Sequence, residues 1–260
     1  MNVITLNVNG IRSAARKGVF TWLEQQNADF VCLQETKIQR HQLIPHDEFY
    51  PAGYTCVYVS AQKPGYSGVA IYARKKPLNI IQGLGFETCD QEGRYVQFDY
   101  PRLSVVSIYL PSGSSGVARQ AVKYDFLNRL SEHLRVLIAQ GRELIICGDI
   151  NIAHRPIDLK NWRGNQKNSG FLPQERAWMD YIFDELGLVD AFRVKNQEAE
   201  QYTWWSNRGQ AWQKNVGWRI DYQIITPGLA GFVDEVRIDR EPRFSDHAPL
   251  SMVYRGEWDA

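Results

Sequence analysis

The chain has 260 residues, 44% of them hydrophobic and 12% aromatic, which is ample for a large buried core. Its 30 Lys and Arg residues against 29 Asp and Glu give a net charge of +1 at pH 7, so overall basicity does not mark a nucleic-acid-binding protein, although a local basic face is still allowed. The four cysteines are far apart, which favours free thiols in a reducing cytosol over a disulfide framework or a zinc site. Without a targeting pattern or a run of ~18 apolar residues, we expect a cytoplasmic protein with no membrane segment.

In chain order, short apolar, β-branched runs that stop at polar residues predict the strands. The alternating runs "YTCVYV", "SGVAIYAR" and "RYVQFDY" predict half-buried strands, and "RELIICGD" predicts a fully buried one. The remaining predicted strands lie in "NVITLNVNG", "ADFVCLQETK", "LSVVSIYLPSG", "WRIDYQIITP" and "HAPLSMVYR".

Helical spacing is found in "KGVFTWLEQQN", "RQAVKYDFLNRLSEHLRVLIAQG" and "LPQERAWMDYIFDELGL". The longest stretch without a clear pattern is "NIAHRPIDLKNWRGNQKNSGFLP", and a loop of this length in a compact domain is mobile or functional. No linker divides the chain. We therefore expect one α/β domain over residues 1–260, with sheets packed together and helices outside.

The polar residues that end these strands are repetitive in kind, and several follow runs of the buried type. Each alone has an ordinary explanation, such as a solvated strand end, a turn cap or a core side chain. Buried charge is costly unless it is paired or metal-bound, so together these ends predict a pocket of oxygen ligands that selects Mg²⁺, Mn²⁺ or Ca²⁺ over zinc. The residues are Asn7, Glu35, Tyr109, Asp149, Asn151, Asp221, Asp246 and His247.

Seven motifs resemble, in order, those of the exonuclease III-type apurinic/apyrimidinic (AP) endonucleases of the DNase I-like endonuclease/exonuclease/phosphatase superfamily. They are "NVNGIR", "LQETK", "YLPSG", "GDINIAH", "NQKNSGFLPQER", "WRIDY" and "SDHAPL", and they span nearly the whole chain. The resemblance implies a four-layered α/β sandwich, in which helices flank two packed mixed β-sheets. It also implies Mg²⁺-dependent cleavage of duplex DNA 5′ to abasic sites, leaving a 3′-hydroxyl, with 3′-end trimming or 3′–5′ exonuclease activity. Mn²⁺ is expected to substitute, and the enzyme is expected to be a monomer.

The same resemblance implies roles for the strand-end residues. Glu35 would hold the metal, with Asn7 and Asp246 close by. Asp149 would activate the attacking water or protonate the leaving 3′-oxygen, and Asn151 would face the phosphate. Further phosphate contact and proton transfer would involve Tyr109, Asp221 and His247.

Asp246 and His247 are adjacent in the sequence, but consecutive residues of an extended segment point to opposite sides. Alternation therefore disfavours a bond between these two neighbours. The resemblance implies that His247 takes its orienting carboxylate from Asp221, 26 positions earlier, and that Asp246 serves the metal or water side.

Two segments suit DNA in particular. The long loop carries four basic residues against the single acid Asp158, and such a loop suits contacts to the phosphate backbone. By resemblance, the DNA contacts would come from Arg163, Asn165, Lys167 and Asn168. Aromatic residues interleaved with basic ones in "YTWWSNRGQAWQKNVGWRIDY" suit stacking on an extruded nucleotide. Trp204, Trp218 and Ile220 would line the pocket for the base-less deoxyribose, while other tryptophans of this stretch belong to the core.

The chain departs from the family pattern at two positions. Asn9 stands where many relatives have Asp, which makes a second metal site less certain, and Ser112 stands where others have Asn. Two alternatives on the same fold are a non-catalytic RNA-binding regulator of the catabolite-repression type and a phosphodiesterase of lipids or small molecules. The intact set of strand-end residues disfavours the regulator, and the basic loop disfavours the small-molecule enzyme.

Overall fold

The computed structural model describes residues 1–43 and 47–256. Its strands form two six-stranded sheets and one two-stranded ribbon. They are β1 (Asn2–Asn7), β2 (Phe30–Gln34), β3 (Thr55–Val59), β4 (Val69–Ala73), β5 (Asn79–Gln82), β6 (Tyr95–Asp99), β7 (Leu103–Tyr109), β8 (Glu143–Asp149), β9 (Val189–Asp190), β10 (Trp204–Trp205), β11 (Gly217–Trp218), β12 (Asp221–Ile225), β13 (Val233–Ile238) and β14 (Leu250–Tyr254).

The helices vary from single turns to six turns. A π-helical turn, Tyr181–Glu185, prolongs α7, and two 3₁₀ turns lie at Asp47–Phe49 and Pro156–Asp158. In residues 1–43 and 47–256 no helix is both long enough and apolar enough to cross a membrane. The α-helices are α1 (Ile11–Arg16), α2 (Val19–Gln26), α3 (Arg40–Leu43), α4 (Glu87–Gln91), α5 (Val117–Ala139), α6 (Trp162–Asn165), α7 (Pro173–Asp180), α8 (Ala191–Lys195) and α9 (Pro227–Ala230).

The two large sheets are mixed, and each has one parallel pair at its centre. The first sheet has the order β13-β14-β1-β2-β4-β3, with β1 and β2 parallel. The second has the order β5-β6-β7-β8-β12-β9, with β7 and β8 parallel. Because the carboxyl ends of parallel strands meet at one edge, each sheet brings the residues that follow its central strands to a common edge.

The largest core cluster lies between the sheets and includes Cys32 of β2 and Cys147 of β8, both fully buried free thiols as predicted. A second cluster joins α5 and α7 to the outer face of the second sheet. A third joins α1 and α2 to the outer face of the first. The predicted four-layered α/β sandwich is thus confirmed.

The prediction of half-buried strands was wrong for β4 and β6, which are buried along their whole length. Both faces of each strand are covered, since β4 packs into the first and third core clusters and β6 into the first and second. In β6 the alternate polar residues are satisfied internally, since Gln97 Nε2 donates to Asp99 Oδ1 at 2.6 Å and Ser104 Oγ to the same oxygen at 2.7 Å. By contrast, β3 is an edge strand and is partly exposed throughout.

Candidate active site

Strand register places the site at one edge of the two packed sheets. Asn7 ends β1 and lies beside Gln34, the last residue of β2. In the second sheet Asp149 at the end of β8 lies between Tyr109 of β7 and Asp221 of β12. Residues distant in sequence therefore meet because the central strands of both sheets stop at the same level.

The centre of the site is a group of Glu35, Asp149 and His247, whose potential ligand atoms all lie within 4.8 Å of one another. The Asn7 Nδ2 group bridges the two acids, at 2.8 Å from Glu35 Oε1 and 2.9 Å from Asp149 Oδ2. Glu35 has a φ of +50°, a left-handed conformation that is rare for a residue with a Cβ. Such local strain is frequent at functional sites and persists only where the surroundings hold it.

The adjacent residues Asp246 and His247 belong to different pairs, as predicted. His247 Nδ1 lies 2.8 Å from Asp221 Oδ2, and its Nε2 lies 3.8 Å from Asp149 Oδ2. Asp246 instead accepts hydrogen bonds from Asn9 Nδ2 at 2.9 Å and from Trp204 Nε1 at 3.2 Å. The imidazole therefore lies between two carboxylates, neither of which is its neighbour in sequence.

The buried carboxylates and the imidazole shift each other's ionisation. Burial, followed by the charge of Asp221, raises the pKa of Asp149. Burial alone would lower the pKa of His247, but the charge and hydrogen bond of Asp221 outweigh it and raise that pKa, which favours the imidazolium. For Glu35, Lys37 and Asn7 outweigh burial, so its pKa is lowered and it stays ionised.

The donor set fits a hard divalent cation. Glu35 is an ionised carboxylate, and the bridging amide of Asn7 holds it against Asp149, which gives clustered oxygen donors of the kind that Mg²⁺ and Mn²⁺ prefer. The imidazolium of His247 has no lone pair to offer a metal. Asp246, the third residue predicted near the metal, is linked to the centre through Asn9 and Lys37, which pairs with Glu35.

Asn9 and Ser112, the two departures from the family pattern, both make local hydrogen bonds. Asn9 donates to Asp246, where an aspartate would place a second carboxylate beside the first. Its side-chain oxygen accepts from Lys37, which also pairs with Glu35 at 2.9 Å. Ser112 Oγ contacts Ser114 Oγ at 2.9 Å and stays within its own turn.

Asn151 and Tyr109 flank Asp149. The Asn151 backbone N–H donates to Asp149 Oδ1 at 2.9 Å, and its side-chain amide donates to the Leu110 carbonyl at 2.9 Å. Asn151 also has a left-handed φ of +56°. Tyr109 is 9% exposed, and burial, then the charges of Glu35 and Asp149, raise the pKa of its hydroxyl, which stays protonated as a hydrogen-bond donor.

Sequence reasoning missed three basic residues of this region: Lys37, Arg94 and Lys123. Arg94 donates to the Tyr109 carbonyl at 2.8 Å, and its guanidinium lies 4.5 Å from the Tyr109 ring centroid. Lys123 donates to the Asn151 carbonyl at 2.8 Å. Two of them could have been noticed in the sequence. Lys37 follows closely on Glu35 in "LQETK", and Arg94 begins the buried run "RYVQF". Lys123 gave no such signal, because it lies in an amphipathic helix.

The predicted abasic pocket is an apolar cluster beside Asp246 and His247. Trp204 and Trp218 are paired across the β10–β11 ribbon, with ring centroids 6.4 Å apart and planes at 81°. The cluster also contains Ile220, Phe171, Ala153, Leu159 and Trp162. The other two tryptophans of the stretch, Trp205 and Trp212, form a separate buried cluster with Tyr202 and Ala248, as expected for core residues.

The four predicted DNA-binding residues lie together next to this pocket in sequence and structure. Arg163, Lys167 and Asn168 are exposed, and Asn168 Nδ2 donates to Asn165 Oδ1 at 2.8 Å. The acid of the loop, Asp158, is buried and paired with Arg219 at 2.9 Å and Arg193 at 2.6 Å. The charge of Asp158 is therefore neutralised inside the protein, and the loop surface around Arg163 and Lys167 is basic.

Comparison with known proteins agrees with this geometry. Residues 4–247 match the endonuclease/exonuclease/phosphatase family. An exodeoxyribonuclease of Bacillus subtilis is 38% identical, over 97% of this chain and 99% of its own length. A DNA repair nuclease of Danio rerio is 36% identical over 97% of this chain and 81% of its own. The structure of an AP endonuclease from Archaeoglobus fulgidus superposes with a TM-score of 0.89 at 30% identity, covering 98% of this chain and 100% of that one.

The layered fold and the clustered acids define a phosphodiester-cleaving enzyme. The chain belongs to the endonuclease/exonuclease/phosphatase family, and within it to the exonuclease III-type AP endonucleases that its motifs resemble.

Proposed function

We propose that this chain is a Mg²⁺-dependent DNA-repair phosphodiesterase that cleaves duplex DNA 5′ to an abasic site and leaves a 3′-hydroxyl, with 3′-end trimming or 3′–5′ exonuclease activity. One observation carries the proposal. The acidic centre of Glu35, Asp149 and His247 lies directly beside an apolar pocket, because Trp204 donates to Asp246, the residue before His247. Acidic groups suited to phosphodiester cleavage and an apolar surface suited to a base-less deoxyribose are thus adjacent.

When bound, a divalent cation would be held by Glu35, with Asn7 and Asp246 close by, and would stabilise negative charge on the phosphate and on the leaving 3′-oxygen. Mn²⁺ would substitute, since it has the same preference for oxygen ligands.

The proton chemistry belongs to the pair of Asp149 and His247. The raised pKa of Asp149 makes it a stronger base than an ordinary carboxylate, and we assign to it the proton of the attacking water. Asp221 holds His247 as an imidazolium, which binds a non-bridging phosphate oxygen through Nε2. The hydroxyl of Tyr109 donates a second hydrogen bond to the phosphate. Fixed donors of this kind stabilise the charge that develops in the transition state.

Selectivity would come from the pocket and the loop. Trp204, Trp218 and Ile220 would enclose a flipped deoxyribose and exclude an intact base by size. Arg163, Lys167 and the paired Asn165 and Asn168 would contact the phosphate backbone of either strand without reading sequence. The partner would be duplex DNA with abasic sites or blocked 3′ ends, bound by a monomer acting as one domain in the cytoplasm.

The test is incubation of the purified protein with Mg²⁺ and a duplex carrying one abasic site. We expect one incision 5′ to the lesion with a 3′-hydroxyl end, and no incision with EDTA. An undamaged duplex and the Asp149→Asn protein are the controls. Asp149→Asn should bind the abasic duplex but fail to cut it. An Mg²⁺-loaded protein that leaves the abasic duplex intact, yet binds RNA, would instead favour the regulator.

A further inference from the structure

One of the most deeply buried ion pairs of the described residues lies behind the site. Lys123 Nζ of α5 and Glu175 Oε1 of α7 are 2.5 Å apart, and both side chains are 0% exposed. An ion pair in this environment contributes little to stability, because desolvation cancels much of the attraction. Replacing such a pair with apolar residues is often neutral for folding. Its hydrogen bonds therefore indicate what it does.

Glu175 joins three segments through its two oxygens. Oε1 accepts from Lys123 and from Gln120 Nε2 at 3.0 Å, both on α5. Oε2 accepts from the backbone N–H of Gly170 at 2.6 Å and of Leu172 at 3.0 Å. The bond from Leu172 caps the first turn of α7, but the bonds from Gly170 and Lys123 go beyond a helix cap.

Lys123 extends this unit into the catalytic turn. It donates to the Asn151 carbonyl at 2.8 Å, and Asn151 in turn donates its backbone N–H to Asp149. Asn151 is in the left-handed region at φ +56°, which asparagine adopts more readily than most residues, and Lys123 gives the carbonyl of this turn a fixed, buried partner. The turn is also tied to the next segment, because the Ala153 N–H donates to the Gly170 carbonyl at 2.8 Å.

The segment held by Glu175 lies between the loop and the pocket. Asn168 is its first residue and accepts from the Phe171 backbone N–H at 3.0 Å. Phe171 within it belongs to the pocket cluster, and a Cβ at Gly170 would be 3.1 Å from the Trp218 ring. One buried ion pair thus joins the Asp149 turn, the end of the basic loop and one side of the apolar cluster of Trp204 and Trp218.

We propose that Lys123 and Glu175 form a positioning unit that fixes the catalytic turn of Asp149 and Asn151 relative to the segment from Asn168 to Leu172. The inference rests on the proposed function for the identity of the substrate, but the linkage itself does not. Neither residue touches the reacting atoms. The pair sets the distance between the carboxylate that acts on the water and the surface that holds the sugar and phosphate.

The test is the double variant Lys123→Met/Glu175→Gln. It removes both charges and the donor to Asn151, while glutamine can still cap α7. We expect kcat on an abasic duplex to fall about 10- to 100-fold, the range for a catalytic group displaced by ~1 Å, with KM changed less than about threefold. The matched control, Asp125→Asn/Arg129→Gln, removes an exposed ion pair from the same helix and should leave kcat unchanged.

A folded double variant with wild-type kcat would overturn the inference, and so would a parallel rise in KM that accounts for the whole loss. A wild-type enzyme that does not cut abasic DNA would refute the proposed function instead. Because the double variant can fail to fold, amide hydrogen exchange of the wild-type protein gives an independent test. The amides of Gly170 and Ala153 should exchange at the rate of buried strand amides. Exchange as fast as that of an open loop would also overturn the inference.

Discussion

At the scale of single residues, Asp149 has the most costly environment in the site. It is fully buried, interacts with the carboxylates of Asp221 and Glu35, and has the imidazole of His247 as a counter-charge at 3.8 Å. The same surroundings that raise its pKa and strengthen it as a base make its ionised form unfavourable in the folded protein. Activity and stability therefore impose opposite demands at this position.

We predict that Asp149→Asn stabilises the metal-free protein. The pKa of Asp149 is raised from 3.8 to about 7. The cost of ionising it is therefore absent below pH 4, grows between pH 4 and 7, and is complete above pH 7. After allowance for the contact that His247 loses, the gain at pH 8 should be about 1 to 3 kcal/mol. Urea unfolding in EDTA at pH 8 and pH 4 would check it, since the gain should be lost at pH 4. A less stable Asp149→Asn protein at pH 8 would contradict the assignment.

A second prediction concerns the pH dependence of the reaction. If the Asp149 carboxylate takes the proton of the water, kcat/KM should rise with pH and level off above the pKa of Asp149, which is about 7 in the metal-free protein and lower when a cation is bound beside it. His247 lowers that pKa, so His247→Gln should move the rising limb to higher pH as well as reduce the rate. Initial rates from pH 5 to 9 at saturating Mg²⁺ are the measurement. If kcat/KM instead fell as the pH rose from 5 to 9, Asp149 would be the group that protonates the leaving 3′-oxygen.

At the scale of secondary-structure elements, the segment around α6 exposes basic side chains to the solvent. Arg163 and Lys167 are exposed, whereas the acid of the same loop is buried against two arginines. Internal neutralisation of Asp158 leaves the loop with a basic surface in a protein of nearly zero net charge. This explains how a chain with a net charge of +1 can bind a polyanion.

We predict that the charge reversal Arg163→Glu/Lys167→Glu weakens binding to abasic duplex and flattens its salt dependence. Each lost phosphate contact reduces the slope of log K against log [salt] by about 0.9, so the slope should fall in magnitude by about 2. Fluorescence anisotropy of the catalytically inactive Asp149→Asn background, in the presence of Mg²⁺, gives the slope directly.

The matched control is Lys75→Glu/Lys76→Glu, which makes the same change of charge. These exposed residues follow the last residue of β4, at the opposite edge of the sheet from the site. The control should leave the slope nearly unchanged. Equal effects of the two variants would show that net charge, rather than the loop, governs binding.

At this scale the sequence predicted most elements that have a strong apolar pattern, and it missed those that do not. The strand β5, with the pattern of an exposed edge, and the two-residue strands β10 and β11 have too little apolar periodicity to be recognised. The pairing of His247 with Asp221 could be predicted because the motif "WRIDY" resembles that of the family, while alternation in extended chain excluded only Asp246. The Lys123–Glu175 pair could not, because a lysine in an amphipathic helix normally lies on the solvated face.

For the whole molecule, the placement of the acidic centre links metal binding to folding. Glu35 follows a strand of the first sheet and Asp149 ends a strand of the second, so the centre forms only when the two sheets pack together. Asn7 joins the acids across this junction. A cation bound there stabilises the native state but has no preformed site in the unfolded chain.

We therefore predict that Mg²⁺ raises the Tm of the wild-type protein. A ligand at 100 times its Kd adds about 2.7 kcal/mol to the free energy of unfolding, which in a chain of this length corresponds to roughly 5–10 °C. The rise should be larger at pH 8 than at pH 5, because the raised pKa of Asp149 makes protons compete with the cation at low pH. Differential scanning calorimetry with Mg²⁺ or EDTA is the measurement.

Glu35→Gln should lose most of the rise in Tm, whereas Glu132→Gln, which changes an exposed acid on α5, should keep it. If Glu35→Gln kept the full Mg²⁺-induced rise in Tm, the cation would have to bind elsewhere. If the rise in the wild-type protein were equal at pH 5 and pH 8, Asp149 would not lie near the bound cation.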